Sequence, residues 1–121
     1  MSWPTELRLS KDRRMLSITF DDGAAYDLSA ELLRVTSPSA EVQGHSPSER
    51  KTIGGKRNVM ILSVDPVGNY AVRLSFDDMH STGIYSWDFL HALGREADKR
   101  LQDYLDDLAA KGLSRDKPGV K

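Results

Sequence analysis

Two of the three pairs of adjacent aspartates and the three histidines are the side chains best suited to acid–base or metal chemistry. The two aspartate pairs in question are Asp21-Asp22 and Asp77-Asp78, and the histidines are His45, His80 and His91. General acid–base catalysis needs a carboxyl group whose pKa is raised by a pocket that excludes water. Both aspartate pairs lie in turn-like sequence, where aspartate is common because its side chain binds the local backbone. The sequence therefore predicts exposed carboxylates with a structural role.

A metal site could form only if segments far apart in the chain approach each other. His45 lies in a long connection, and His80 lies in the turn that follows Asp77. With Asp78, these two histidines are the candidate metal ligands, but no Cys/His or i,i+4 spacing enforces the site. We expect no bound metal and no other cofactor. His91 is predicted to lie at the boundary of the apolar face of the last helix.

The sequence also lacks the signatures of covalent catalysis and of phosphate transfer. It contains no Gly-x-Ser-x-Gly nucleophile elbow. Gly54-Gly55-Lys56 resembles the end of a P-loop, but no glycine precedes it at the required spacing and Arg57 stands where Ser or Thr is needed. Cysteine is absent, which excludes disulfides, thiolate nucleophiles and cysteine ligands to zinc or iron–sulfur clusters in this chain. We predict that the chain is not an enzyme.

Composition and charge narrow the kinds of partner. The 121 residues carry a formal net charge of −1 and are 29% charged, which is typical of one soluble domain without a field that attracts nucleic acid. The basic clusters at 11–14 and 49–51 are diluted by acidic neighbours. The N-terminus lacks the pattern of a signal peptide, and no apolar run is long enough to span a bilayer. We expect a cytoplasmic monomer that binds neither nucleic acid nor membrane, with weak dimerisation left open.

Alternating apolar and polar residues predict two similar halves. The first half has predicted strands over 6–9, 15–20 and 25–28, and a short helix over 30–34 that is capped by Ser29. The second half has predicted strands over 59–64, 70–76 and 83–87, and a long helix from the cap Asp88 to about Lys111. The short turns at 21–23 and 65–69 leave no room for the crossover helices that parallel strands need.

The residues of the two halves can be aligned. Phe20-Asp21-Asp22 and Tyr26-Asp27-Leu28-Ser29 match Phe76-Asp77-Asp78 and Tyr85-Ser86-Trp87-Asp88, with a turn three residues longer in the second half. This match indicates an internal duplication. The predicted fold class is α+β: two β-β-β-α halves with mainly antiparallel sheets, packed with a short helix and a long C-terminal helix. One domain spans 3–112, and 113–121 form a flexible tail.

The last helix carries a single apolar stripe. Its residues are spaced three and four apart, as on one helix face: Leu90, Leu93, Ala97, Leu101, Tyr104 and Leu108. The stripe is predicted to pack on the sheet, with Gly112 ending the helix. Strand alternation places Tyr85 and Trp87 on one face, and Trp87 is expected in the core. The alternative is a half-exposed Trp87 in a partner groove beside His80.

Residues 36–57 form a long connection that is rich in Ser, Pro and Gly. A connection of this length within a compact domain is either disordered or functional. We predict a non-catalytic module that presents this connection and the His80 turn to an unidentified protein partner. The candidate partner contacts are Ser37, Ser39, Glu41, His45, His80, Tyr85 and Trp87. The alternative is a metal- or small-ligand-binding domain that uses His45 and His80.

Three runs of residues resemble a known family. They are Leu33 to Val42, Pro66-Val67-Gly68-Asn69-Tyr70 and His80-Ser81-Thr82-Gly83-Ile84-Tyr85-Ser86-Trp87. Together they are similar to the gamma-butyrobetaine hydroxylase-like N-terminal domain, and the similarity runs from about Trp3 to Leu93. The resemblance is strongest to the stand-alone bacterial members of the family, whose function is unknown.

The resemblance implies a lost zinc site and an accessory role. In the hydroxylases this domain precedes a 2-oxoglutarate oxygenase barrel and binds a structural zinc through three Cys and one His. This sequence has Ser37, Ser39 and Val42 at the cysteine positions and His80 at the histidine position, so the zinc is not expected here. Other relatives are fused to P-loop ATPases that carry iron–sulfur clusters. The resemblance therefore points to iron–sulfur assembly or to an oxygenase-type enzyme as the place to look for a partner.

Overall fold

The computed structural model describes residues 3–38, 52–81 and 83–116. The first half contains β1 (Pro4–Leu9), β2 (Met15–Phe20), β3 (Ala25–Ser29) and α1 (Ala30–Val35). The second half contains β4 (Ile61–Val67), β5 (Ala71–Phe76), β6 (Gly83–Ser86), α2 (Trp87–Arg95) and α3 (Ala97–Ala110). Each half forms a three-stranded antiparallel sheet in chain order. The predicted α+β fold of two β-β-β-α halves is confirmed.

One core lies between the inner faces of the two sheets and the helices. Alternate residues of the two central strands face it with 2% exposure or less: Leu16, Ile18 and Phe20 on β2, and Val72, Leu74 and Phe76 on β5. The residues between them are at least partly exposed, because successive side chains of a strand point to opposite faces. Both sheets, α1 and α2 contribute to a single hydrophobic cluster, so the two halves pack as one unit.

The central hairpins of both sheets close with the same turn. Gly23 N donates to Phe20 O at 3.1 Å, and Met79 N donates to Phe76 O at 3.2 Å. The backbone N–H groups of Phe20 and Phe76 each donate to the carbonyl four residues later, at 2.8 and 2.9 Å. Gly23 and Met79 occupy the same position of the turn, and both have positive φ, +88° and +76°. The second half therefore repeats the turn geometry as well as the strand order.

The structure corrects the alignment of the halves after these turns. Ser29 and Ser86 are the two helix N-caps, because each hydroxyl accepts from the backbone N–H three residues later at 3.1 Å. Leu28 and Tyr85, which precede the caps, are therefore equivalent, and the second half is longer by one residue instead of three. The predicted cap at Asp88 is wrong, since the Ser86 hydroxyl already satisfies the free backbone group and α2 begins at the next residue.

Strand β4 is longer than predicted, and the turn after it is shorter. Asp65-Pro66-Val67 was expected in a turn but continues β4, where Pro66 pairs with Val72. Proline is tolerated there because β4 is an edge strand, so one side of its backbone is not needed for the sheet ladder. The turn begins at Gly68, whose φ of +55° suits glycine.

The C-terminal helical region consists of two consecutive helices, and the prediction of one continuous helix on the sheet is corrected. Leu90 and Leu93 of α2 enter the main core, whereas Tyr104 and Leu108 of α3 form a second cluster against α1. A straight helix over 88–111 would be about 36 Å long, which exceeds the length of a small sheet. The break after α2 lets the distal part of the apolar stripe pack on α1 instead.

Trp87 is a core residue, as expected. Its side chain is 8% exposed and belongs to the main cluster, and its indole N–H donates to Asn69 O at 2.9 Å. Tyr85 has no exposed surface. Both were candidate partner contacts, but they fill the centre of the domain and do not line its surface.

Candidate functional site

Three segments that are distant in the sequence meet at one end of the molecule: the end of α1, the residues before β4 and the β5–β6 turn. Arg34 Nε donates to Asp78 Oδ2 at 2.7 Å, and Lys56 Nζ lies 2.5 Å from the same oxygen. Ser37 Oγ lies 3.0 Å from His80 Nε2. We call these five residues, Arg34, Ser37, Lys56, Asp78 and His80, the polar cluster.

Asp78 lies at the centre of the polar cluster. Its side chain is 10% exposed, and its second oxygen accepts the backbone N–H of His80 at 3.1 Å. Burial alone would raise the pKa of Asp78, but hydrogen bonds from Lys56, Arg34 and the His80 N–H lower it to about 2. The prediction of an exposed turn carboxylate is therefore wrong for this residue, because contacts from distant segments cover it. Its neighbour Asp77 is exposed, as predicted.

Ser37 and His80, both predicted as partner contacts, lie side by side beneath the surface with 0% and 4% exposure. Gly83 provides the space for this contact, since a Cβ at that position would lie 2.5 Å from Ser37 Oγ. The Tyr85 hydroxyl donates to the carbonyl of Leu33 in α1, and burial raises the pKa of that hydroxyl. These contacts fasten the end of α1 to the second sheet.

The remaining predicted contacts, Ser39, Glu41 and His45, lie outside the described residues. Within the part of the chain that the structure describes, no group of three or more His, Asp or Glu side chains is placed to hold a metal ion. Of the candidate ligand set His45, His80 and Asp78, the carboxylate is engaged by two cations and a backbone N–H. The metal-binding alternative stays a prediction that depends on His45.

His91 lies at the boundary of the core, as predicted. Its Nε2 is 2.8 Å from Asp22 Oδ2, and its side chain is 17% exposed. The imidazole ring contacts the rings of Phe20 and Tyr26 edge to face, with centroids 4.8 and 5.6 Å apart. His91 therefore joins α2 to the first sheet and lies outside the polar cluster.

Sequence reasoning missed Arg34, Lys56 and Met79 as components of this end of the molecule. Arg34 resembles an ordinary basic residue in the last turn of a helix, and Lys56 resembles an ordinary loop cation. Met79 did have a signal in the sequence, because it stands where the first half has Gly23. Its side chain is 91% exposed, although it stands directly between Asp78, whose side chain is 10% exposed, and the buried His80.

A cleft of about 190 Å³ borders the polar cluster. Lys56 and Asp78 lie on its wall together with Arg115 and Asp116, which follow α3. Arg115 binds Glu31 of α1 with both Nε and Nη2, at 2.8 and 2.5 Å. The carbonyls of residues 114 and 115 accept backbone hydrogen bonds from residues 55 and 57. The first residues of the predicted tail thus contact the domain and form part of this cleft.

The fold and the polar cluster define a small α+β domain that consists of two β-β-β-α halves. The family model for the gamma-butyrobetaine hydroxylase-like N-terminal domain matches residues 7–91. The chain belongs to this family. The matched residues include every member of the polar cluster and both sheets apart from the first three residues of β1.

Solved structures of similar proteins support the same assignment. Two solution NMR structures are each 44% identical to this chain and cover all of it, with 97% and 92% of their own lengths aligned and TM-scores of 0.84 and 0.82. A crystal structure of a DUF971-family protein of unknown function from Acidithiobacillus ferrooxidans ATCC 23270 is 36% identical, with a TM-score of 0.63. That alignment covers 75% of this chain and 91% of the other. No curated protein matches this chain significantly.

The family is therefore one of unknown function, and its stand-alone members include small proteins such as the one from Acidithiobacillus ferrooxidans. None of the described helices combines the length and the hydrophobicity needed to cross a membrane.

Proposed function

We propose that this chain is a non-catalytic protein-interaction module whose contact surface is centred on Met79 in the β5–β6 turn. The residues on either side of Met79 are fixed from beneath. Asp78 is held by Arg34 and Lys56, and His80 is held beside Ser37. A turn fixed in this way presents Met79 in a defined place, which lowers the entropy lost when a partner binds.

The observation that carries the proposal is an exposed apolar side chain on an unfavourable backbone conformation. Met79 is 91% exposed and has a φ of +76°. The left-handed conformation costs a non-glycine residue about 1–2 kcal/mol. Because the Met79 side chain is exposed, burial in the core does not offset this cost. Gly23 avoids this cost in the equivalent turn of the first half. A methionine in place of a more stable glycine supports a role for the side chain outside the fold.

The partner we propose is a protein with an apolar recess that accepts the Met79 side chain. Methionine suits such a contact because its thioether chain is flexible and polarizable. The family name links the domain to hydroxylases, which supports an oxygenase-type enzyme as a partner. The fusions noted for relatives make iron–sulfur assembly the other pathway to search. We propose the cytoplasm as the compartment, consistent with the absence of cysteine.

The substitution Met79→Gly tests this proposal because it separates stability from binding. We expect the variant to be more stable by about 1 kcal/mol, seen as a rise of a few degrees in Tm. We also expect it to lose a protein that the wild type retains in affinity capture from the native cell, measured by quantitative mass spectrometry.

Met15→Thr is the matched control, because Met15 is a partly exposed methionine, at 37%, outside this turn. It should capture the same proteins as the wild type. The proposal fails if Met79→Gly is less stable than the wild type, or if it retains every captured protein at wild-type levels.

A further inference from the structure

The guanidinium of Arg34 is buried and only partly satisfied. Arg34 is 9% exposed, and its Nε donates to Asp78. Its Nη1 is also buried, and it has no hydrogen-bond partner among the residues that the structure describes. Buried donors are nearly always paired, and an unpaired one on a charged group is costly. An unpaired guanidinium nitrogen in the polar cluster therefore calls for an acceptor that the described residues do not supply.

The charges of the polar cluster do not balance either. Arg34 and Lys56 both contact the same oxygen of Asp78. The side chains are only 10% exposed for Asp78, 11% for Arg34 and 16% for Lys56. Three other carboxylates lie nearby, and each has its own partner: Glu31 is engaged through both oxygens by Arg115, Asp116 pairs with Arg57, and Asp77 accepts the backbone N–H of Met60. Among the described residues, no second carboxylate pairs with Arg34 or Lys56. Within the part of the chain that the structure describes, two cations in a poorly hydrated site therefore share one carboxylate, which favours binding of an anion.

We propose that the polar cluster binds the oxyanion group of a ligand, a carboxylate or a phosphate, between Arg34 Nη1 and Lys56 Nζ. The planar guanidinium presents donors in the geometry that these groups accept, and an ammonium adds a charge-assisted hydrogen bond. The cleft of about 190 Å³ gives access from solvent, because Lys56 and Asp78 form part of its wall. Lys56 lines the cleft and Arg34 does not, so the proposal requires the Lys56 side chain to turn for the anion to reach Nη1.

Titration of the purified chain with defined anions tests the site. Sodium phosphate and sodium acetate are added at constant ionic strength, with sodium chloride as the reference. Binding is followed by Tm and by the NMR signal of the Arg34 Nε–H. We expect a saturable shift with phosphate, with acetate or with both, and none with chloride. A response to phosphate alone identifies a phosphate-bearing ligand, and a response to acetate alone identifies a carboxylate.

Arg34→Lys keeps a positive charge but removes Nη1, so the apparent affinity should fall by about tenfold or more. Lys56→Met should also lower the affinity, and it replaces Arg34→Lys as the test variant if Arg34→Lys does not fold. Arg57→Gln is the matched control, because Arg57 pairs with Asp116 at the surface and lies outside the polar cluster. Its affinity should be unchanged.

The proposal is overturned if no saturable shift occurs, if chloride acts equally and indicates an adventitious ion only, or if Arg34→Lys and Lys56→Met bind as the wild type does. The titration uses no protein partner and leaves Met79 unchanged. Its outcome is therefore independent of the interaction proposed for the β5–β6 turn.

Discussion

Charged residues in and around the polar cluster should contribute differently to stability because their exposure differs. Asp78 and its two cations are nearly buried, and removal of one partner from a buried ion pair costs about 3–5 kcal/mol because the other charge stays poorly hydrated. Arg57 and Asp116 form a contact of equal length, 2.7 Å, but both side chains are nearly half exposed. Such a surface pair contributes about 0–1 kcal/mol. Asp78 is therefore the residue whose charge should matter for stability.

Stability should fall in acid as Asp78 takes up a proton. The pKa of Asp78 is lowered from 3.8 to about 2 in the folded protein. A lowered pKa stabilises the fold above the unfolded-state value and ceases to do so as the pH falls from about 4 through 2. We expect a loss on the order of 2 kcal/mol in the free energy of unfolding across this range, measured by urea denaturation at several pH values.

Asp78→Asn is the comparison for this pH dependence. It should be less stable than the wild type at neutral pH, because two cations lose their carboxylate. It should also lack the part of the acid sensitivity that Asp78 supplies. Identical slopes of stability against pH in the two proteins would show that Asp78 is not the group responsible.

At the scale of elements, close contact between α2 and β3 fixes the second half against the first. Gly94 of α2 lies against Tyr26 of β3, and a Cβ at position 94 would be 2.3 Å from the Tyr26 ring. Glycine within a helix costs about 1 kcal/mol relative to alanine. The close packing offsets this cost, because the ring also contacts Phe20 and His91 and cannot shift freely.

Gly94→Ala should destabilise the protein although alanine is the better helix former. The gain in helix propensity is about 1 kcal/mol, whereas the collision with a held aromatic ring costs about 1–3 kcal/mol. We expect a lower Tm and a lower denaturation midpoint at an unchanged m-value. In the background of Tyr26→Ala the same substitution should become neutral or stabilising, because the collision is removed. A rise in Tm for Gly94→Ala alone would refute the packing argument.

At the scale of the whole molecule, hydrogen bonds and ion pairs of the polar cluster join the two halves. His80, the position at which the resemblance implies a zinc ligand, lies beside the hydroxyl of Ser37. Asp78 is committed to cations. The end of α1 is thus attached to the second sheet by contacts that need no metal.

Chelation should therefore leave the fold intact. We expect the Tm of the protein, purified without a histidine tag, to change by less than about 1 °C on addition of a strong chelator. A metal-dependent fold would instead lose most of its stability when the metal is removed. Elemental analysis of the same sample should find no stoichiometric zinc. A drop of many degrees, together with bound zinc before treatment, would mean that residues beyond the described part complete a metal site with His80.

The sequence by itself determined the elements of this protein and their order. Alternation of apolar residues predicted the six strands, and the Asp-Asp turns predicted antiparallel hairpins. The spacing of Leu90, Leu93, Tyr104 and Leu108 predicted a buried helix face, although it gave no sign of the break between α2 and α3. These features follow from interactions between residues that are close in the chain, so a single sequence is sufficient to predict them.

Only the tertiary structure decided which of these residues form a site. Asp78 looked like an exposed turn residue, yet it is buried by Arg34, which lies 44 residues away, and by Lys56. The alignment of the two halves after the second turn depended on whether Ser86 or Asp88 caps α2. In the structure, Ser86 is the cap. Burial and ion pairing arise when distant segments come into contact. The periodicity of apolar residues in the sequence does not predict which segments make these contacts.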